Sequence, residues 1–339
     1  MPSLEHVRAQ ILGKPLLVEP SYAQSVLGAL ADRAGIESLT MPDGQRLDQQ
    51  ALKRSAESQG PRGGSKLFDQ VGDIAIIQIT GALVHRFGFM EPVSGMVGTN
   101  AVEMKFQSAM ADPSIAGVLL DIDSPGGQVG GIFDLADQIA AAGKPVWAVA
   151  DELAASAGYA LAAAADRLIL PRTARIGSIG VVMLHENRAG QMEKEGISVS
   201  LIHAGARKVD GHPFAALPDD VRANLQQEVD ETRQLFVDSV ARYRGLSAAA
   251  VAGTEAALYT GQHAVDAGLA DEVRPSHEVL QAFAGELQSG RASRRPRRKA
   301  TGRRTQSPTI QQWAANYWAS DETSAKPRKP LNALEVHKR

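Results

Sequence analysis

The segment LLDIDSPGGQVGG, residues 119–131, is the part of the sequence that decides the expected fold. Its apolar start is typical of a buried β-strand, Ser-Pro-Gly-Gly forms a turn, and a helical pattern begins at Ile132. The paired glycines allow close approach of the backbone to a ligand, and the helix start leaves N–H groups free. Such groups suit the oxygen of a phosphate or of an acyl-transfer oxyanion, although a tight turn without a ligand has the same pattern. The spacing excludes a Walker A loop and a dinucleotide fingerprint.

Short β-branched runs alternate with helical stretches on both sides of this segment. Because such alternation is typical of βαβ units, it predicts an α/β fold with a mainly parallel sheet. A long amphipathic helix should follow, its apolar stripe serving core packing or a subunit contact. The expected strands are Ile74–Thr80, Gly117–Asp121, Pro145–Ala150, Arg167–Leu170 and Ile197–His203, and the expected helices are Ile132–Ala142, Ala157–Ala165, Arg188–Gly196 and Asp219–Gly245.

Three regions differ in composition along the chain. Residues 1–66 predict a helix that begins near Ser21 and stops at Gly35, followed by a flexible polar linker. Residues 67–276 carry the α/β alternation and form the expected main domain. Residues 277–339 predict a mostly disordered basic tail, with a short aromatic helix near 308–319 that is typical of a docking segment. The arginine-rich run at 291–304 is typical of a solvated tail, and nucleic-acid binding is the less favoured alternative.

The overall composition narrows the function classes. The 339 residues contain no cysteine, which excludes disulfides, thiol nucleophiles, iron–sulfur clusters and thiolate metal sites. No motif suggests a cofactor or a metal. No secretory signal and no apolar run of membrane-spanning length is evident, so we expect a cytoplasmic protein without membrane contact.

Ser156 is the first candidate for chemistry, in the segment AASAGYALAAAA at residues 154–165. A serine at the start of a helix is usually only a cap. Here the small neighbours would leave the hydroxyl approachable, and the helix dipole would favour negative charge beside it. The residues alone keep both interpretations open.

Lys208 is the candidate base, in the segment GARKVDGHPF at residues 205–214. The histidines are scattered and lie in ordinary contexts, so a Ser–His arrangement lacks support. A lysine acts as a base only when burial or a cationic neighbour keeps it neutral. Without other evidence, a lysine in a polar loop is interpreted as a surface residue.

Taken together, these segments resemble the signal-peptide-peptidase A family of serine peptidases, peptidase family S49, and within it the phage head-maturation proteases. The resemblance runs from about Ile74 to Val273, and more loosely includes KPLLVEP at residues 14–20. Five segments appear in the family order: DIDSPGG, ASAGYALAAAADRLI, GSIGVV, GARKVDGHPF and YTGQHAVDAGLAD. One such segment is weak evidence, whereas five in order are specific.

The resemblance implies a set of roles for individual residues. Ser156 becomes the nucleophile, Lys208 its general base, and Ser178 the hydroxyl that orients the lysine. The oxyanion donors are the backbone N–H groups of Gly127 and Ala157; some relatives have glycine at the second position. An extended peptide substrate would lie along Gly126, Gly127, Gln128 and Val129.

The family likeness also implies a fold and partners. The fold is the caseinolytic-protease/crotonase-like spiral of ββα units, and members assemble into homo-oligomeric rings. The missing membrane anchor favours a phage protease that processes scaffold and capsid proteins in the host cytoplasm, inside assembling heads, with the tail docking on capsid. The alternatives are a cytoplasmic signal-peptide-peptidase-like protease, a non-catalytic head-assembly or scaffold protein, and a crotonase-like acyl-CoA enzyme.

Overall fold

A computed structural model of the chain describes residues 15–18, 39–40, 46–47, 66–86 and 95–290. These residues all belong to one unit of the chain. The strands are β1 (Pro15–Val18), β2 (Leu39–Thr40), β3 (Arg46–Leu47), β4 (Asp69–Val71), β5 (Ile74–Thr80), β6 (Ala82–Val84), β7 (Met96–Gly98), β8 (Gly117–Ser124), β9 (Gly126–Gln128), β10 (Val146–Ala155), β11 (Arg167–Leu170), β12 (Arg175–Gly177), β13 (Val182–Met183), β14 (Leu258–Thr260) and β15 (Glu272–Val273). The helices are α1 (Thr99–Ala111), α2 (Ile132–Ala140), α3 (Ala157–Ala163), α4 (Ala189–Lys194), α5 (Asp219–Arg244), α6 (Ala248–Ala252), α7 (Gln262–Asp266) and α8 (Ser276–Gln288).

Parallel strands form the centre of the larger sheet. β5, β8, β10 and β12 lie side by side and run in the same direction. β4 and β14 flank this group in antiparallel orientation, and β11 pairs with the first half of β10. The sequences of the central strands are almost continuously apolar because both faces of the sheet are buried. The predicted α/β fold with a mainly parallel sheet is therefore confirmed.

A smaller sheet contains the glycine turn and has the strand order β13-β1-β9-β6-β7. β9 follows β8 after a single residue, so the chain passes directly from the larger sheet into the smaller one. β1 pairs antiparallel with β9 on one side and with β13 on the other. The two sheets therefore meet at the segment from which the fold was predicted.

Helix α3 lies at this meeting point and contacts β8, β9, β10, α2 and α5. Every residue of α3 is buried. Alanine and glycine dominate it, so neighbouring elements can approach closely: a Cβ at Gly158 would lie 3.0 Å from the Cβ of Ser124. The small side chains of α3 therefore allow close packing at the point where the two sheets meet.

The predicted strand Ile197–His203 is wrong. The segment forms no strand, and residues 193–208 are all exposed. Ile197, Val199 and Leu201 alternate along it as in a strand, but the segment pairs with no described strand. The other predicted strands are present, with β8 and β10 continuing to Ser124 and Ala155.

The ends of the main domain also differ from the expectation. α8 packs Val279 and Phe283 against the larger sheet, where the Phe283 ring stacks on Trp147 at a centroid distance of 4.7 Å. The folded domain therefore continues past residue 276 to the end of α8. Within the predicted linker, β2 and β3 form an antiparallel pair. The predicted helix at 21–35 and the tail from residue 291 lie outside the described residues.

No helix in the described part of the chain has both the length and the apolar character that crossing a membrane requires.

Replacing Phe283 with alanine tests whether α8 belongs to the domain core. Phe283→Ala removes a fully buried ring, so we expect the free energy of unfolding to fall by about 3–5 kcal/mol. Gln281→Ala, at an exposed position of the same helix, should change it by less than about 0.5 kcal/mol. Urea unfolding followed by circular dichroism measures both; equal effects would show that α8 is only peripheral.

Candidate active site

Two serines lie side by side where the parallel strands β10 and β12 end. Ala155 pairs with Gly177, and the next residues are Ser156 and Ser178. The backbone N–H of Ser156 donates a 2.8 Å hydrogen bond to the carbonyl of Gly177. The structure thus brings together the predicted nucleophile and the predicted orienting serine.

Both serines have an uncommon backbone conformation, with φ of 53°. Positive φ is costly for a residue with a side chain, and such strain persists only where the surroundings enforce it. At Ser156 the chain turns sharply from β10 into α3. A nucleophilic serine on a strained strand-to-helix turn is a known way of presenting its hydroxyl to a substrate.

The hydroxyl of Ser156 finds no hydrogen-bond partner among the residues that the structure describes. It accepts no capping bond from α3, its Oγ is buried and unpaired, and the residue is 0% exposed. An unpaired buried hydroxyl costs roughly 1–3 kcal/mol. The ordinary interpretation of Ser156 as a helix cap therefore does not apply, and a group kept unsatisfied at this cost is a candidate for chemistry.

The glycine turn lies against Ser156. Gly126 has φ of +98°, and a Cβ there would lie 2.9 Å from the Cβ of Ser156 and 3.0 Å from the backbone N of Ala157. As the first residue of α3, Ala157 has an N–H without an acceptor inside the helix. Gly127 follows in β9, where a Cβ would lie 1.9 Å from the carbonyl oxygen of Leu83. Ala157 thus directly follows the predicted nucleophile, and Gly127 directly follows the glycine that packs against it.

Ser124 holds the turn in place, a role that the sequence did not reveal. Its hydroxyl donates to the carbonyl of Gly81 at 2.7 Å and accepts from the N–H of Gly126 at 3.2 Å. Ser124 is fully buried. The signal was present in the quoted segment, because a polar residue at the end of an apolar strand needs buried partners.

Lys208 lies elsewhere in the single chain. It is exposed, in a turn where its backbone N–H donates to Gly205, and no hydrogen bond joins it to Ser156. Of the predicted catalytic residues, the chain therefore assembles Ser156 and Ser178 but leaves Lys208 apart.

The predicted peptide-binding strand is already paired on both sides. β9 has β6 as its parallel neighbour and β1 as its antiparallel neighbour. The side-chain oxygen of Gln128 accepts a 2.8 Å hydrogen bond from the backbone N–H of His85. Val129 follows directly after β9 and is partly buried. We did not expect β1 at this position.

Carboxylates give the end of β8 an acidic character. Burial raises the pKa of Asp121, and the neighbouring charge of Asp151 raises it further. Burial also raises the pKa of Asp123, with a contribution from Glu152. The neighbouring carboxylates therefore disfavour additional negative charge close to Asp121 and Asp123.

Comparison with known proteins identifies the family. Residues 138–289, which include both serines and Lys208, match the model described as Peptidase family S49. Capsid assembly protease C of Escherichia phage lambda is 42% identical over 98% of this chain and 77% of its own length. The chain belongs to peptidase family S49. The serine-peptidase family predicted from the five ordered segments is confirmed.

Other relatives of this S49 peptidase differ in length. Head-tail preconnector protein GP5 of Enterobacteria phage P21 is 44% identical over 85% of this chain, which spans 58% of that protein. Putative protease MJ0651 of Methanocaldococcus jannaschii is 36% identical over 50% of this chain and 56% of its own length. Among solved structures, a ClpP1 variant from Listeria monocytogenes aligns with 60% of this chain and 94% of its own, at 16% identity and a TM-score of 0.39.

Substitution of Gly127 tests the close approach of β9 and β6 in the S49 peptidase. Gly127→Ala places a methyl group on the Leu83 carbonyl, so the strands must separate, and we expect about 1–3 kcal/mol lower unfolding free energy together with reduced activity. Gly143→Ala is the matched control, because no atom lies within 4 Å of a Cβ at that position. Urea unfolding and peptide hydrolysis report both effects; a Gly127→Ala protein as stable and active as Gly143→Ala contradicts the assignment.

Proposed function

We propose that this chain is a phage head-maturation protease that cuts scaffold and capsid proteins with a Ser156/Lys208 dyad. The buried hydroxyl of Ser156, which has no partner among the described residues and lies on a strained turn packed against Gly126, is the observation that carries the proposal. The name of the lambda relative, capsid assembly protease, supports the substrate class.

In the proposed reaction, the neutral amine of Lys208 takes the proton of the Ser156 hydroxyl as the oxygen attacks the peptide carbonyl. The N–H groups of Gly127 and Ala157 bind the oxyanion that forms. Lys208 returns the proton to the leaving amine, which leaves an acyl-enzyme, and water then releases the acyl group. Ser178 accepts a hydrogen bond from Lys208 and orients it.

This chemistry requires Lys208 to leave water, because a hydrated lysine stays protonated at neutral pH. Lys208 lies on a long excursion of the chain, residues 184–217, which we call the arm. No residue of the arm is buried. Ile202 is 100% exposed, and Ile197, Val199 and Leu201 are between 40% and 49% exposed. Because the arm has no buried residues, packing within the arm does not stabilise its conformation. Contact with a further surface is therefore needed to cover its apolar side chains.

A second copy of the chain is the partner that we propose for the arm. A groove with both apolar and polar lining lies between β13 and the first half of α5; its lining residues are Val181, Val182, Met183, His185, Leu217, Arg222, Leu225, Gln226 and Val229. The groove includes His185 and Leu217 at the two ends of the arm, whereas the exposed residues 197–202 do not line it. Pairing these exposed residues with the groove of another copy is a head-to-tail contact, which closes into a ring when the rotation permits. Docking of the arm would desolvate Lys208 and complete the dyad.

The alternatives differ in what they require of Ser156. A crotonase-like enzyme or a non-catalytic assembly protein needs no strained, unpaired hydroxyl, so the geometry favours the peptidase. A signal-peptide-peptidase-like role uses the same chemistry on other substrates. Docking of the tail on capsid and nucleic-acid binding concern residues outside the described ranges and stay predictions.

Alanine substitution tests the dyad. Ser156→Ala and Lys208→Ala should each reduce cleavage by roughly 10⁴–10⁶-fold without lowering stability, because each removes a group that acts only in the reaction. Lys194→Ala, another lysine of the arm, should retain full activity. Mass spectrometry of the head proteins co-expressed with each variant identifies substrates and cleavage sites.

The two inactive variants also show where the lysine comes from. If the arm completes a neighbour's site, mixing Ser156→Ala with Lys208→Ala restores activity in the mixed rings, whereas a dyad within one chain stays inactive on mixing. Full cleavage by either variant alone would refute the proposed mechanism.

A charge on the arm tests the assembly. Ile202→Asp changes a side chain that is fully exposed in the single chain, so the fold should keep its stability, but docking would bury an unpaired carboxylate. We expect smaller assemblies in light scattering after size exclusion, together with loss of activity. Val71→Asp, at an apolar position 51% exposed on β4, should assemble normally. Unchanged assembly of Ile202→Asp would remove the arm from the interface.

A further inference from the structure

Strand β1 fills a slot that is one strand wide beside the nucleophile. It runs between β9 and β13, with Leu16 opposite Gln128 on one side and opposite Val182 on the other. Adjacent strands lie about 4.8 Å apart, so without β1 the edges of β9 and β13 would face each other across about two strand spacings. Such a slot offers backbone hydrogen bonds on both sides to any extended peptide.

The residues of β1 reach the catalytic backbone itself. A Cβ at Gly126 would lie 2.1 Å from the carbonyl oxygen of Leu17, as well as close to Ser156 and to the N of Ala157. The Leu17 carbonyl oxygen, the Ser156 side chain and the Ala157 N–H, a candidate oxyanion donor, therefore all lie around Gly126. Peptide carbonyls of a substrate would have to come to this place.

The nucleophile is closed off while β1 is present. Ser156 is 0% exposed, and within the described part of the chain its hydroxyl has no hydrogen-bond partner, so the residue is closed to solvent and to a substrate carbonyl. Leu17 is also 0% exposed and packs into the main core cluster, and Leu16 is 5% exposed. The slot therefore accepts aliphatic side chains below an extended backbone.

We infer that β1 is a built-in pseudosubstrate: Pro15–Val18 occupies the substrate slot between β9 and β13, and a substrate must displace it to reach Ser156. The inference rests on the proposed function for the identity of the nucleophile. It also names the class of substrate segment, an extended stretch with consecutive aliphatic residues like the Leu16–Leu17 pair. Recognition is by strand addition, in which the backbone supplies affinity and the side-chain pockets supply specificity.

A reversible cross-link tests this inference in the full-length chain. The protein has no cysteine, so Leu16→Cys with Val182→Cys introduces one pair, at directly opposed positions of antiparallel strands. Oxidation should hold β1 in the slot and abolish peptide cleavage, and a reductant should restore it. Each single variant should be insensitive to oxidation. Asp69→Cys with Ile76→Cys, an opposed pair at the far edge of the larger sheet, is the matched cross-link and should stay active when oxidised.

A binding measurement separates this inference from the proposed function. In a Ser156→Ala background, a labelled peptide KPLLVEP should bind the reduced Leu16→Cys/Val182→Cys protein and not the oxidised one, as followed by fluorescence anisotropy. If the peptide binds only the reduced protein but no preparation cleaves any protein, the inference about β1 is supported and the peptidase proposal fails. If the oxidised protein binds the peptide or cleaves substrate as well as the reduced protein does, β1 is only a structural strand and the inference is overturned.

Discussion

The hydrogen bond from the Ser156 N–H to the Gly177 carbonyl fixes the geometry on which the rest of the site depends. It continues the pairing of β10 with β12 by one residue past the last registered pair, so Ser156 and Ser178 emerge together at one sheet edge. α3 can then begin at Ala157 only if the chain turns sharply at Ser156, which explains the positive φ there. The crowding at this turn in turn demands glycine at 126 and small residues throughout α3.

Local sequence patterns predicted the regular strands and helices whose bounds depend on residues within the element itself. β5 and β11 have the predicted bounds, and the long helix α5 ends at a left-handed Gly245, because apolar runs and stop signals determine these elements. The arm misled prediction because Ile197–His203 has the alternation of a strand but no described partner. α8 was missed because the polar residues around Val279 and Phe283 conceal a narrow apolar stripe.

The candidate site was predictable to a similar extent. Ser156, Ser178, Gly127 and Ala157 all come from segments whose order carries the family resemblance, and the fold places them together. Ser124 was overlooked because its role depends on the carbonyl of Gly81, far away in sequence. β1 was overlooked because four residues with an ordinary composition do not reveal which edge they will pair with. Lys208 is the opposite case, since its predicted role needs surroundings that one chain does not supply.

The attachment of β1 to the chain that it blocks has a consequence for control. A segment that belongs to the same chain as the site it blocks competes at an effective concentration that does not fall when the enzyme is diluted. A free substrate at cellular dilution competes poorly against such an occupant, whereas substrates packed densely around the enzyme match it. Pro15–Val18 would then inhibit the peptidase at low substrate concentration, and the enzyme would become active only where its substrates are concentrated.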